Sequence, residues 1–285
     1  MFKKSILTGL AVLLMFIMVF AAAGCGGSKT SDQAKKLKVV TTSTDIEDIV
    51  KGVGGDKVEV ANIVPPGMCP GHFDVKPQSI QVLSDASLFI LHSWDGDKFS
   101  DKLIESVGNK NLVKVVTTSD DGKYTFMVPQ ARIKGIDDVT AALVKVDSKN
   151  ADTYKANAEK LKNDTNKIAQ EQKKRLEDAG ASKIKAIVFA YQVGFAKWAG
   201  LDIVGTYTPD ISPNKTKELV DLGRQKGVTL IIDNLQTENK AIASTLAKEI
   251  GAKEIVPSNF PGGLPGTKGW SDSFIKNVDL IIQNK

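Results

Sequence analysis

Outside its N-terminus, the chain offers five side chains suited to coordination chemistry. Cys69 and His72 stand in a Cys-x-x-His spacing, which lets one loop present a thiolate and an imidazole to the same ion. The sequence contains one other histidine, His92, and Tyr191 and Asp233 add a phenol and a carboxylate. Each follows an apolar segment that reads as a strand, and in open α/β sheets ligands bind beyond the carboxyl ends of the strands. Thiolate, imidazole and carboxylate together suit a borderline or soft transition metal such as zinc. Each residue also has a plainer reading. Cys69 can be a small buried residue, His92 a hydrogen-bonded partner beside Trp94, Tyr191 a packing aromatic, and Asp233 the cap of the helix that follows it. Catalytic signatures are missing: no nucleophile elbow, phosphate-binding loop or His-Glu-x-x-His pattern occurs, and two histidines leave little for acid–base work. An enzyme is not expected.

The apolar segments belong to a regular alternation. Strands are expected over 37–42, 58–64, 88–91 and 112–116, with helices at 45–50, 78–86 and 98–107. The run Leu88-Phe89-Ile90-Leu91 suits a strand covered on both faces. After Gly180 the pattern resumes, with strands over 184–189, 202–207, 228–232 and 253–256. The helices of this half end at Gly200, open at Ser212-Pro213, run from about Thr237 to Gly251, and close the chain from Ser271. Ser212 and Pro213 fit the cap and first-turn positions of a helix. Between the two halves, residues 150–178 contain neither glycine nor proline, and Tyr154, Ala158, Leu161, Thr165, Ile168, Gln172 and Leu176 recur at steps of three or four. That is one helix of roughly 40 Å with a narrow apolar stripe. The expected fold class is α/β, with two βα lobes built on parallel sheets and joined by one long helix. The lobes are expected over 37–148 and 180–285, with the connecting helix over 149–179.

The first residues are not part of that fold. Lys3 and Lys4, an apolar run from Ile6, and small residues at Ala21 to Gly24 make an export signal. The layout resembles a bacterial lipoprotein signal, in which Cys25 is lipidated and becomes the first mature residue. Residues 1–24 are then a signal peptide and 25–36 a flexible tether rich in glycine and serine. The competing reading of 6–23 is a plain transmembrane helix, for which the run is nearly long enough. Of the formal net charge of +5, Lys3 and Lys4 contribute +2, so the mature chain carries +3. Its lysines and acids are interspersed, so no nucleic-acid partner is expected. With Cys25 committed to an anchor, Cys69 has no partner for an internal disulfide, and the fold must stand on core packing.

Several stretches of the mature chain carry a family likeness: 39–49, the loop 65–77, Val146-Asp147-Ser148-Lys149-Asn150-Ala151-Asp152-Thr153-Tyr154, and the closing pattern. On these the chain resembles the solute-binding lipoproteins of zinc and manganese ABC importers, whose lobes are joined by a rigid helix. The resemblance implies zinc or manganese as cargo, an ABC permease and its ATPase as partners, and a membrane anchor through lipidated Cys25 on the extracytoplasmic face of the cell membrane. The family takes its ligands from a Pro-His-x-aromatic-acidic motif, a Pro-His-x-Trp motif, a third His or Glu, and a late Asp or Glu. Here the first motif is approximated by Pro70-Gly71-His72-Phe73-Asp74, with the family's histidine falling on Gly71 in strict register. The second corresponds to 124–129, which has no histidine; the third falls near Tyr191; the last falls in 259–263, which has no acid. The ligand set therefore departs from the family's, and the metal candidates are His72, His92, Asp233, Cys69 and Tyr191. Two other readings stay open. The same receptor architecture could hold a metal chelate or a small organic molecule between Trp94, Tyr191 and Phe195, or the fold could serve adhesion without a site.

Overall fold

The structure, a computed structural model, describes residues 35–93, 99–117 and 125–285. The first lobe contains β1 (Leu37–Thr41), β2 (Val58–Asn62), β3 (Leu88–His92) and β4 (Val113–Thr117). They form a sheet of order β2-β1-β3-β4 in which every pairing is parallel. Helices α1 (Thr44–Gly54), α2 (Pro77–Ser84) and α3 (Phe99–Val107) alternate with the strands. The second lobe repeats the plan with β5 (Lys185–Phe189), β6 (Asp202–Tyr207), β7 (Leu230–Ile232) and β8 (Lys253–Ile255), in the order β6-β5-β7-β8, again all parallel. Two helices stand between the lobes, α4 (Pro129–Val146) and α5 (Ala151–Asp178). Four belong to the second half: α6 (Val193–Ala199), α7 (Pro213–Lys226), α8 (Ala241–Ile250) and α9 (Trp270–Gln283). The two-lobed α/β architecture expected from the alternation is the one observed.

Strand composition explains the layering. Every residue of β3 is buried. Its alternate side chains enter two different clusters: Leu88 and Ile90 pack with Val39, Ile46, Ile49 and Ile136, while Phe89 and Leu91 pack with Val40, Leu83 and Leu103. That is the two-sided burial a parallel sheet requires. In the second lobe Ile187, Phe189 and Ile231 face α7 and α8, and Ala186, Val188, Leu230 and Ile232 join Phe195, Phe274 and Val278. One cluster runs without interruption from Val39 in the first lobe through Tyr154, Ala158 and Leu176 of α5 to Ile281 of α9.

Helix ends follow local chemistry. Ser212 caps α7 by accepting the Lys215 N–H at 3.3 Å, with Pro213 in the first turn, as the sequence predicts, and Gly227 at φ 69° closes the helix. Helix α5 runs 28 residues. It is pinned to α1 by Asn157, whose amide donates to the Val53 carbonyl at 2.9 Å, and to α9 by the Arg175–Asp279 pair at 2.7 Å. The structure adds one element that the strand and helix pattern did not anticipate, the 18-residue α4. It buries Ala131, Arg132, Gly135, Ile136, Val139, Ala142 and Leu143. Helix α8 begins at Ala241, four residues later than expected.

Candidate functional site

His92 ends β3, as expected for a strand-end residue, and it is turned inward. Its Nε2 lies 3.2 Å from both carboxylate oxygens of Asp45, with both residues fully buried. Asp45 also accepts the Ser43 hydroxyl, the Ile46 N–H at 3.0 Å and the Phe126 N–H at 3.2 Å, and the Phe126 ring packs 4.6 Å from the imidazole. Burial works to raise the Asp45 carboxyl, but its electrostatic and hydrogen-bond contacts with His92, and then the Ser43 and Phe126 donors, outweigh burial and hold it below its usual 3.8. Of the two readings of His92, the geometry matches the hydrogen-bonded partner, with Asp45 and Phe126 as its neighbours. Trp94 lies outside the described residues.

The loop between β2 and α2 faces the second lobe. Cys69, half-buried, opens a short turn over Pro70–His72. His72 is exposed, and its Nδ1 lies 3.2 Å from Oε1 of Glu238, a residue of the second lobe. Three residues before Cys69, the Pro66 carbonyl accepts the Gln236 amide at 2.7 Å. Tyr191, beyond β5, is 58 % exposed. Its phenol is held above its usual 10.0 by partial burial and then by the negative charge of Cys69 and Asp210. Cys69 and Tyr191 therefore lie within electrostatic reach of each other, and His72 reaches Glu238, where the lobes adjoin.

Asp233 is elsewhere. Completely buried at the end of β7, it accepts the Tyr207 hydroxyl at 3.2 Å through Oδ1, while Oδ2 faces Lys240 Nζ at 3.6 Å. It does not cap α8, whose N-cap position is Lys240. Next to it, Gln192 donates to Asn234 Oδ1 at 2.9 Å and Asn259 Oδ1 at 3.0 Å, and the Asn259 amide reaches the Tyr191 carbonyl at 3.4 Å. Asn259 N–H donates to Gln236 Oε1 at 3.1 Å. The stretch that lacks an acid is thus filled by a neutral amide network.

Among the described residues, no three His, Cys, Asp or Glu side chains are gathered so as to hold a metal ion. A shared pocket of His72, His92, Asp233, Cys69 and Tyr191 is therefore not what this conformation assembles. The physical reason is that His92 and Asp233 are each buried and engaged within their own lobe, His92 by Asp45 and Asp233 through Oδ1 by Tyr207, whereas Asp233 Oδ2 has no hydrogen-bond partner among the described residues and only Lys240 nearby at 3.6 Å. Phe195 does not line a cavity there. It is 2 % exposed and packs with Trp198 and Phe274. Cys25 lies outside the described residues.

Below the junction a second polar group ties the halves together. Arg132, fully buried on α4, pairs with Asp48 of α1 at 2.6 Å and donates to Thr165 of α5 at 3.3 Å. Its guanidinium sits 4.7 Å above the Trp270 ring of α9. The Trp270 backbone N–H donates to Asp48 at 3.2 Å, and its indole N–H to the Met127 carbonyl at 3.2 Å. Burial lowers the Arg132 pKa and Asp48 opposes that effect. None of Asp45, Asp48, Arg132 or Gln236 was singled out from sequence. The strand-end rule that found Asp233 extends naturally to Gln236, three residues on.

Comparison with known proteins places this geometry. The manganese-binding lipoprotein MntA of Halalkalibacterium halodurans is 23 % identical over 94 % of this chain and 96 % of its own. The iron-binding protein YfeA of Yersinia pestis is 23 % identical over 96 % and 93 %. A manganese-bound periplasmic metal-binding protein of Candidatus Liberibacter asiaticus superposes with a TM-score of 0.74 at 17 % identity, covering 87 % of this chain and 99 % of that one, which establishes the shared fold. The profile of one family matches residues 39–284, spanning both lobes and the helix between them. The chain belongs to the ZnuA family, described as the zinc-uptake complex component A, periplasmic.

Proposed function

We propose that this protein is the extracytoplasmic binding component of an ABC importer, which takes up a transition-metal ion, zinc or manganese, and passes it to a membrane permease driven by its ATPase. The observation that carries this reading is the family match over 39–284, which spans both lobes rather than one of them. Two relatives covered over nearly their whole length are named for manganese and iron binding. The side chains available to a cation where the lobes meet are Cys69, His72 and Tyr191. A thiol and an imidazole must lose protons to bind metal, so uptake weakens as pH falls. A lipid on Cys25 holds the protein at the membrane, which the signal-like layout of residues 1–24 supports. The protein binds and delivers, with no catalytic step of its own. Elemental analysis of the purified native protein beside its native mass tests this. About one equivalent of metal is expected, whereas bound organic mass without metal overturns the reading.

A further inference from the structure

The contacts that bridge the lobes around the 65–77 loop are not equal. His72–Glu238 is a solvent-facing pair, 56 % and 72 % exposed, and such pairs contribute little. Gln236 is 5 % exposed, and its amide is used at both ends. Nε2 donates across the junction to the Pro66 carbonyl at 2.7 Å and within the second lobe to Ser258 Oγ at 2.9 Å. Oε1 accepts the Asn259 N–H at 3.1 Å, and Asn259 in turn contacts Gln192 and the Tyr191 carbonyl. One buried side chain thus joins the loop that carries Cys69 and His72 to the backbone that carries Tyr191. The Gln236 amide is the buried end of its bond to the half-buried Pro66 carbonyl, so parting the two leaves a donor shut away from water, a larger loss than parting an exposed pair.

We infer that Gln236 is a positioning residue that holds the 65–77 loop against the second lobe and so sets how fast cargo leaves. It touches no cargo. The inference rests on the metal-binding reading above, but the loop's attachment can be measured without metal. The test compares the full-length mature protein with Gln236→Met, which keeps length and loses both polar ends, and with Ser258→Ala, which removes the hydroxyl's contacts to Gln236 and to the Phe260 backbone, all inside the second lobe. Hydrogen–deuterium exchange is followed over 65–77 and 257–263 in metal-free protein, and Zn²⁺ dissociation is followed by stopped-flow with a chelator. Gln236→Met is expected to speed exchange across 65–77 and Zn²⁺ release by about tenfold, the effect of losing one hydrogen bond across the junction. Ser258→Ala is expected to loosen 257–263 alone. Should Gln236→Met fold poorly, Gln236→Glu keeps the acceptor for Asn259 and loses the donor to Pro66, and the same loosening of 65–77 is expected. Unchanged exchange over 65–77 in the Gln236 variants, or equal loosening in Ser258→Ala, overturns the inference. Faster exchange over 65–77 in a protein that binds no Zn²⁺ upholds the clasp and defeats the cargo reading instead.

Discussion

Asp45 and His92 show how a side chain's partner decides its role. The pair is fully buried, and removing one member leaves an unpaired polar group in a dry site, which costs about 3–5 kcal/mol. Asp45→Asn should therefore lower unfolding stability by about that amount near neutral pH in chemical denaturation. The sign of the pH effect follows from the depressed carboxyl. Its contribution is complete above the ordinary carboxylate value of 3.8 and is lost as pH falls through its lower folded value, so the variant should show a shallower acid-unfolding limb. At the junction, His72→Ala and Cys69→Ser should each weaken metal binding in calorimetry by at least tenfold if those side chains are ligands; an unchanged affinity removes the residue from the site. The loop chemistry of Cys69 and His72 was legible because thiol and imidazole are rare in this chain. Asp45 was not, because an acid in the first turn of a helix ordinarily reads as an exposed complement to the helix dipole.

At the level of elements, the alternation of strands and helices was readable because each β3-like run is short, apolar and bounded by turns. Helix α4 escaped notice for a specific reason. Its inward stripe passes through Arg132 and Gly135, a charge and a helix-weakening residue at the very positions that face the core. The structure explains both. Arg132 meets Asp48, and a Cβ at Gly135 would sit 2.6 Å from the Phe126 ring. Gly135→Ala should consequently destabilise the protein by about 1–3 kcal/mol through overpacking, although alanine alone would favour the helix by about 1 kcal/mol. A rise in thermal midpoint would contradict this packing account. The same approach matters for the buried His92–Asp45 pair, since Phe126 lies against His92 and gives its N–H to Asp45.

At the scale of the whole molecule, the shared core and the Asp48–Arg132–Trp270 group join the two lobes into one compact unit, which should unfold cooperatively. Trp270→Ala removes the ring over Arg132, the indole bond to Met127 and the stack on Phe274. It should lower stability by about 3–5 kcal/mol in a single transition that both lobes report. Separate transitions would show that the lobes fold independently. The proposed anchor belongs to this scale too: Cys25→Ser should move the protein from the membrane fraction to the soluble extracytoplasmic fraction, and persistent membrane association would favour the transmembrane reading of 6–23. Lobe number, the alternation of strands with helices and the bridging helix could be anticipated because periodicity is written locally. The clasp between Gln236 and Pro66 could not, since it joins residues 170 positions apart.

Helix α5, 28 residues without glycine or proline and fastened at both α1 and α9, behaves as a strut. A strut gives no pivot point, so a wide jaw-like swing would have to break its fastenings, whereas small sliding and lifting of surface segments would not. The turnover of the importer's receptor then becomes a matter of how often a short flap lifts from a fixed frame, and natural variation in a few flap residues can retune delivery while the frame stays unaltered.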